Sequence, residues 1–292
     1  MNRAFTIACL LMVSVLAAAQ TPLASSPMSV PTLIAPKFFG PNSFPVPQMV
    51  DAAQMGQLQA EVAAEGYIGF AADYTIDAFA RLSLPLFTNR AQLTVWMPVY
   101  EWWHNTAERQ SQMRLLPTDP ISGSGAGDVF ISTDIKIIEE NFRSQTWVPA
   151  IIIRAALRTA SGGDYQLARH YDSPGYFFDL ALDKHFQLRN DWQLNAALSG
   201  GFLCWQTDNG RQNDAVMYAV KVAASYKSKA RLSIDYRGYA GWEKEGDRPM
   251  VIAANASGII KGFEPFIEYQ YGLNDYPFHL LRLGLTYHLQ LF

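Results

Sequence analysis

Cysteine is nearly absent from this sequence of 292 residues: Cys9 and Cys204 are the only two. Cys9 falls in an N-terminal segment expected to be removed, so the mature chain can form no internal disulfide even in an oxidising compartment. Charge is sparse as well. Only 17% of residues are charged and the formal net charge is −3, so the basic surface that nucleic-acid binding requires is missing. Beyond the N-terminus no run of about 18 uninterrupted apolar residues occurs, which excludes a helical membrane span in the mature chain. The five histidines, His104, His170, His185, His279 and His288, stand at no metal-ligand spacing with cysteine or with one another. No P-loop, dinucleotide fingerprint or Gly-x-Ser-x-Gly elbow occurs either. Neither a metal nor a cofactor is therefore expected.

What the chain has in quantity is aromatic: 14 Tyr, 17 Phe and 7 Trp make up 13% of it, which suits a protein that places amphipathic rings at an interface. Its N-terminus is organised. Asn2 and Arg3 precede an apolar run from Ala4 to Leu16, and Ala17 to Ala19 supply the small residues of a cleavage site. Residues 1–19 read as a secretory signal peptide cut before Gln20, and Cys9 follows too short an apolar run to be a lipid-anchor site. Residues 20–56 form a leader in which Pro31, Pro36, Pro41, Pro45 and Pro47 break any helix or central strand. Phe38, Phe39 and Phe44 lie within it, and this cluster would either cap the mouth of the following domain as a plug or act as a tether.

From residue 57 to residue 292 the pattern is uniform: alternating segments separated by polar turns. Expected strands cover 58–74, 77–87, 91–102, 128–139, 145–158 and 176–186, then 192–205, 215–226, 230–241, 249–260, 263–273 and 279–291. Successive side chains of a strand point to opposite faces, so each parity can be read separately. One parity is apolar, as in Leu82-Leu84-Leu86, Leu93-Val95-Met97-Val99, Leu232-Ile234-Tyr236 and Leu281-Leu283-Leu285. The other carries the charges. Glu61, Glu65 and Asp73 belong to it, and Arg81, Asp134, Lys136, Arg154, Arg158, Asp179, Asp183, Lys221, Arg231, Asp235, Arg237, Glu264, Glu268 and Arg282 are the candidate lumen-lining residues.

Parity alone fits two folds. In a soluble sandwich the apolar faces meet in a core; in a membrane barrel they meet lipid and the charges line the lumen. Connection lengths separate the two. Thr88–Arg90, Glu140–Ser144, Gln187–Asp191, Lys227–Lys229 and Lys261–Gly262 form a compact set at one end, whereas the other end holds His104–Gly127, Ala160–Gly175, Gln206–Asp214 and Trp242–Arg248, with short connections only at its first and last members, near Thr75 and near Asn274. Short periplasmic turns and longer outer loops are what a membrane barrel has. Aromatics also gather near strand ends, with Tyr100, Trp102, Trp103, Tyr176, Trp205 and Trp242 at the outer rim and Trp147, Phe186, Trp192, Tyr226, Phe263 and Tyr287 at the inner. The expected fold is an all-β, transmembrane, antiparallel up-and-down β-barrel of about 12 strands in a cell outer membrane.

The sequence ends at Phe292, and a terminal aromatic resembles the closing residue of bacterial outer-membrane proteins that the barrel-assembly machinery reads. Here Leu285, Tyr287, Leu289 and Leu291 form the apolar stripe and Phe292 falls on the other parity. A second resemblance lies at Ser122–Lys136, where Ser-Gly-Ser-Gly-Ala-Gly-Asp-Val opens a strand and a Gly-rich loop follows at Ser161–Asp164. This is similar to the outer-membrane transporter family named for phenol-degradation pathways (MetA-pathway-like), whose members carry a Gly-x-Gly-Asp strand opening. It implies passage of small solutes, aromatic or apolar ones included.

The expected function is a passive channel or transporter, with outer-membrane lipid around it and a small-molecule solute within. A nearly equal number of acidic and basic interior residues favours a constricted, ion-paired lumen over an open charged pore. Two alternatives stay open: an outer-membrane lipid acyl hydrolase, with His104 or His279 and Ser122, Ser124, Ser161 or Ser173, and a structural or surface-interaction barrel. The glycines at 123–127 are read as an extracellular loop, because no helix follows to make a phosphate cradle.

Overall fold

The computed structural model describes residues 35–52, 54–140, 147–163, 167–170, 173–206, 212–242 and 246–290. The signal-peptide reading, the first part of the leader and the terminal Phe292 lie outside them. No helix among the described residues is long and apolar enough to cross a membrane.

Twelve long antiparallel strands close on themselves, and a short one is added to them. In chain order they are β1 (Gln57–Gly69), β2 (Tyr74–Pro85), β3 (Ala91–His104), the short β4 (Ser122–Gly125), β5 (Phe130–Ile138), β6 (Ala150–Arg158) and β7 (Gly175–Gln187). Then follow β8 (Trp192–Gln206), β9 (Gln212–Tyr226), β10 (Ala230–Gly241), β11 (Met250–Gly258), β12 (Phe263–Asn274) and β13 (Phe278–Gln290). Each long strand pairs with its sequence neighbours, β3 passing over β4 to β5, and β1 pairs with β13 through thirteen positions from Gln57↔Gln290 to Gly69↔Phe278. Closure leaves no free sheet edge between first and last strand.

Burial settles which way the two parities face. The apolar stripes point outward: Leu232 and Ile234 are 62% and 59% exposed, and Val62, Ile137, Val220 and Leu283 share that surface. The charges point inward, with Glu61, Asp134, Arg154, Asp179, Arg237 and Arg282 all buried. A water-soluble fold would have the reverse arrangement, since each aliphatic side chain left in water forgoes about 1.5–3 kcal/mol. The interior also holds an apolar cluster, made of Phe39, Phe44, Tyr67, Phe130, Phe177, Leu203, Trp205, Tyr239 and Phe278 among others.

Two local expectations are corrected. The first hairpin turns at 70–73, with Ala72 at φ 60°, and not near Thr75; Asp73 there accepts a backbone bond from Gly69 at 2.7 Å through its carbonyl. The glycines near 123 are a strand. β3 pairs with β5 only from Ala91 to Trp96, because Pro98 has no N–H to give and the Gly127 N–H instead donates to the Pro98 carbonyl at 2.9 Å. The outer part of β3, Glu101–His104, would be left an open edge, and β4 covers it in the register Glu101↔Gly125 to His104↔Ser122. Gly123 fits because a Cβ there would lie 2.6 Å from the Trp103 indole. The same connection holds a six-residue helix, α1 (Ala107–Gln112), capped by the Thr106 hydroxyl, which accepts from the Arg109 N–H.

Candidate functional site

The interior of the barrel is occupied by the chain's own N-terminal segment. A 3₁₀ turn at Pro36–Phe38 begins it at the long-loop end, where the Lys37 N–H donates to the Gly246 carbonyl at 3.4 Å and the Gly40 N–H to Ala168 at 2.8 Å. Prolines at 41, 45 and 47 keep the segment from pairing with the wall as another strand, so its carbonyls need side-chain donors. The wall supplies them. Tyr276 donates to the Pro41 carbonyl at 3.2 Å, Tyr239 to Phe44 at 3.1 Å and Arg154 to Gln48 at 2.7 Å, while Arg158 donates to Ser43.

Phe39 and Phe44 are fully buried and meet edge to face with ring centroids 5.0 Å apart; Phe44 continues to Trp205 at 6.3 Å. Phe38 is half-buried at the rim, with the Arg114 guanidinium 4.9 Å above its ring. Asn42 donates its amide to Asp77 at 2.5 Å and to Glu101 at 2.8 Å. Glu101 is held in turn by Arg169 at 2.8 Å, and Arg169 also donates to Thr75 at 2.7 Å. A Cβ at Gly40 would lie 2.7 Å from the Arg169 guanidinium carbon, so a larger residue there would displace that guanidinium from Glu101 and Thr75. Further down, the Gln48 amide oxygen accepts from Arg81 at 2.7 Å. Asp51 pairs with Arg231 at 2.5 Å and Lys221 at 3.5 Å, and the Ala52 N–H donates to Asp183 at 2.9 Å, close to the short-turn end.

The fourteen interior charges named from the sequence fall into three groups. Asp183, Lys221, Arg231, Arg154, Arg158 and Arg81 touch the N-terminal segment directly. Arg282, Asp235, Arg237, Glu264 and Glu268 form wall pairs away from it: Arg282 bonds Glu61 and lies 2.9 Å from Glu65, Arg237 bonds Asp235 and donates to Gln270 at 2.6 Å, and Glu264 faces His288 at 2.7 Å. Glu268 lies 3.8 Å from Arg237. Asp179 and Asp134 complete the wall beside Arg154, Asp179 at 2.6 Å from it and Asp134 accepting from Gln92 at 2.8 Å; Lys136 is buried with Asp183 and Glu139 as its opposite charges.

Space remains between the segment and the wall. A cavity of about 290 Å³ extends from Asn42, Pro98 and Tyr276 to Gln54, Gln59 and Thr286 near the short-turn end. Arg81, Arg282, Glu61, Glu65, Glu268 and Arg237 line it together with the rings of Phe79, Trp96, Phe130 and Phe266. The Arg282 guanidinium sits between two of those rings, 4.3 Å from Phe79 and 5.5 Å from Phe266, which fixes a charge against an apolar surface.

Outside the spanning strands, burial pushes the Asp73 carboxyl up, opposed by Arg109 at 3.4 Å, and lowers the Arg109 guanidinium to about 10. Burial raises Asp128 too, against Arg158 and the N–H groups of Ser161 and Gly162. The residues missed from the sequence are those that grip the segment: Asp77, Glu101, Arg109, Arg169, Tyr239 and Tyr276. Asp77 and Glu101 share the inward parity and could have been found by it. Arg109 and Arg169 lie in connections, where no periodicity marks them.

The hydrolase candidates are placed less favourably. His104 and Ser122 stand opposite each other in register on the outward face of β3 and β4, but His104 stacks on Tyr74 at 5.3 Å and no hydrogen bond joins it to Ser122 among the described residues. His279 bonds Tyr269 at 2.7 Å, Ser124 bonds Tyr100 at 2.9 Å, and Ser161 donates to or accepts from Thr159 at 2.8 Å. A nucleophile–base pair oriented by a third group is not assembled there.

Architecture and interior thus define a closed antiparallel β-barrel of the outer-membrane type, filled by its own leader. No protein-family model matches the chain, and no curated protein sequence does. Among solved structures it is similar to the COG4313 outer membrane channel from Pseudomonas putida F1, at 12% identity and a TM-score of 0.60 over 83% of this chain and 100% of that one. It is also similar to the KdgM porin, 11% identical with a TM-score of 0.49, and to the NanC porin, 13% identical with a TM-score of 0.49, each over 78% of this chain and 98% of the other. At such identities the first likeness speaks for the fold.

Proposed function

We propose that the protein is a narrow passive channel of the outer membrane of a Gram-negative cell, exported through a cleaved signal peptide, with its long loops outward and residues 36–52 acting as a plug. The observation that carries this reading is the cavity of about 290 Å³ beside the segment, lined by charged side chains in a barrel whose outer surface is apolar. A fully packed structural barrel would have no reason to keep a continuous polar space between wall and filling. Rings and paired charges lining the same cavity suit small solutes that combine an apolar or aromatic body with a polar group. Assembly through the C-terminal strand and its terminal Phe292 belongs to the same reading.

Single-channel recording in planar bilayers tests it. The intact protein should show small openings, and a variant lacking residues 21–50 should show openings several-fold larger. Silence from both, with the barrel folded, would remove the channel reading.

A further inference from the structure

We infer that the short-turn rim between β7 and β12 is a binding surface for an anionic phospholipid of the adjoining leaflet. Three turns form this rim: 188–191, 227–229 and 259–262. Main-chain bonds tie them into one edge, the Lys227 N–H donating to Asp191 at 3.0 Å, the Ile259 N–H to Lys229 at 2.7 Å and the His288 N–H to Gly262 at 2.8 Å. Arg189, Lys227, Lys229 and Lys261 are exposed along it, against Asp191 alone, and none of the four forms an ion pair among the described residues. The opposite part of the rim differs, since Arg90 is paired there with Glu139 at 3.3 Å.

The backbone makes this choice of residues informative. Two-residue hairpin turns with both central residues in the left-handed region favour Asn, Asp and Gly, as Asn190-Asp191 illustrates at φ 58° and 64°. Yet Lys227 sits at φ 51° before Ser228 at 51°, and Lys261 at φ 51° before Gly262 at 84°. A long cationic side chain is held in both turns where a small polar one would be less strained, so charge at these points is retained against local conformational preference.

The neighbouring surface fits a phospholipid and not a soluble anion. Just inside the turns the outward face carries the ring pairs Trp192–Tyr226 and Phe263–Tyr287 at 5.1 and 5.0 Å, and Leu188, Ile259 and Ile260 are exposed beside the lysines. The Lys227 ammonium lies 5.2 Å over the Tyr226 ring. Cations above a band of rings and aliphatics match a phosphate headgroup with acyl chains beneath it.

This inference rests on the barrel being membrane-spanning, which heat-dependent gel mobility of the detergent-folded full chain tests separately. Retention of short-chain phosphatidylglycerol and phosphatidylcholine is then compared by native mass spectrometry. The wild type should hold phosphatidylglycerol preferentially, and the K227N/K229N/K261N variant should lose at least about tenfold of that preference. Asn suits the left-handed turn positions, so this variant should keep the wild-type heat shift. Equal retention of the two lipids by the wild type, an unchanged preference in the variant, or full competition by glycerol phosphate would overturn the lipid surface. A chain without a heat shift would instead overturn the membrane reading beneath it.

Discussion

The Arg109 guanidinium donates to the Phe39 carbonyl at 2.8 Å and to the Lys37 carbonyl at 3.1 Å, so a helix in a connection at the long-loop end holds the start of the segment that fills the barrel. The same guanidinium lies 3.4 Å from Asp73 in the first hairpin turn and 5.0 Å from the Phe278 ring. The helix, the first hairpin turn and the start of β13 therefore converge on the segment through one side chain. With its pKa lowered by burial to about 10, Arg109 stays charged at neutral pH. Arg109→Ala should cost about 2–4 kcal/mol, since bonds from a charged donor contribute about 1.5–3 kcal/mol and Asp73 would be left buried without its counter-charge. Amide exchange at Gly40 and Ser43 should quicken in the variant while exchange in β8 and β9 stays the same. Unchanged exchange at both residues would show that the segment holds its place without this contact.

Arg282 supports a second prediction, about the wall. It bonds Glu61, approaches Glu65 at 2.9 Å and is enclosed by Phe79 and Phe266. Breaking a buried pair by removing one partner leaves the other charge uncompensated and costs about 3–5 kcal/mol. Arg282→Met alone should lower the temperature of the heat-dependent gel shift by many degrees. Combined with Glu61→Gln and Glu65→Gln, the same change should recover most of that loss, because the unpaired carboxylates are gone. If the triple variant is no better than the single one, Arg282 acts through packing against the rings and not through charge.

The sequence carried the barrel well and its filling poorly, for a physical reason. A strand's period of two is imposed by the backbone, so the outward Leu232 and Ile234 and the inward Arg231 and Asp235 separate on inspection. The leader obeys no period. Its fixed positions come from side chains far away in sequence, such as Tyr239 on the Phe44 carbonyl and Arg169 beside Gly40, and nothing near Gly40 announces an arginine 129 positions on. The glycines of β4 misled in the same way. Their extended conformation answers an edge that Pro98 opens in β3, a tertiary demand that local composition does not record.

Glu140 gives the pH prediction. It lies in the connection between β5 and β6, buried, where it accepts from Lys184, from the His185 N–H at 3.0 Å and shares a bond of 2.9 Å with the His185 ring. Burial by itself would raise its pKa, but the bonds from Lys184 and His185 outweigh it and hold the carboxyl below the ordinary 4.5. A carboxyl whose folded pKa is depressed stabilises fully above its unfolded value and ceases to do so as pH falls through the folded one. Glu140→Gln should therefore be less stable than wild type by about 1–3 kcal/mol at pH 6. The gap in thermal midpoint should close as pH is taken below 4.5. A gap independent of pH would mean that the amide loses shape complementarity and not charge.

The path of the leader also fixes a topology that labelling can read. β1 starts at the short-turn end at Gln57, yet Lys37 bonds Gly246 and Arg109 in the connections at the opposite end. Between them Gln48 and Asp51 touch β2, β6, β9 and β10 in succession, so the chain runs the length of the barrel inside it. Lys37 is exposed at the long-loop end, and Cys204 is buried. A cysteine placed by Lys37→Cys should then react with a membrane-impermeant maleimide on intact cells, whereas one placed by Lys229→Cys should react only after the envelope is opened. Cys204 should give little background, being buried between its cross-strand neighbours Tyr176 and Asp214. Labelling of position 229 but not of 37 on intact cells would reverse the orientation, and protection of both until lysis would place the plug mouth beneath a covering that the long loops do not themselves provide.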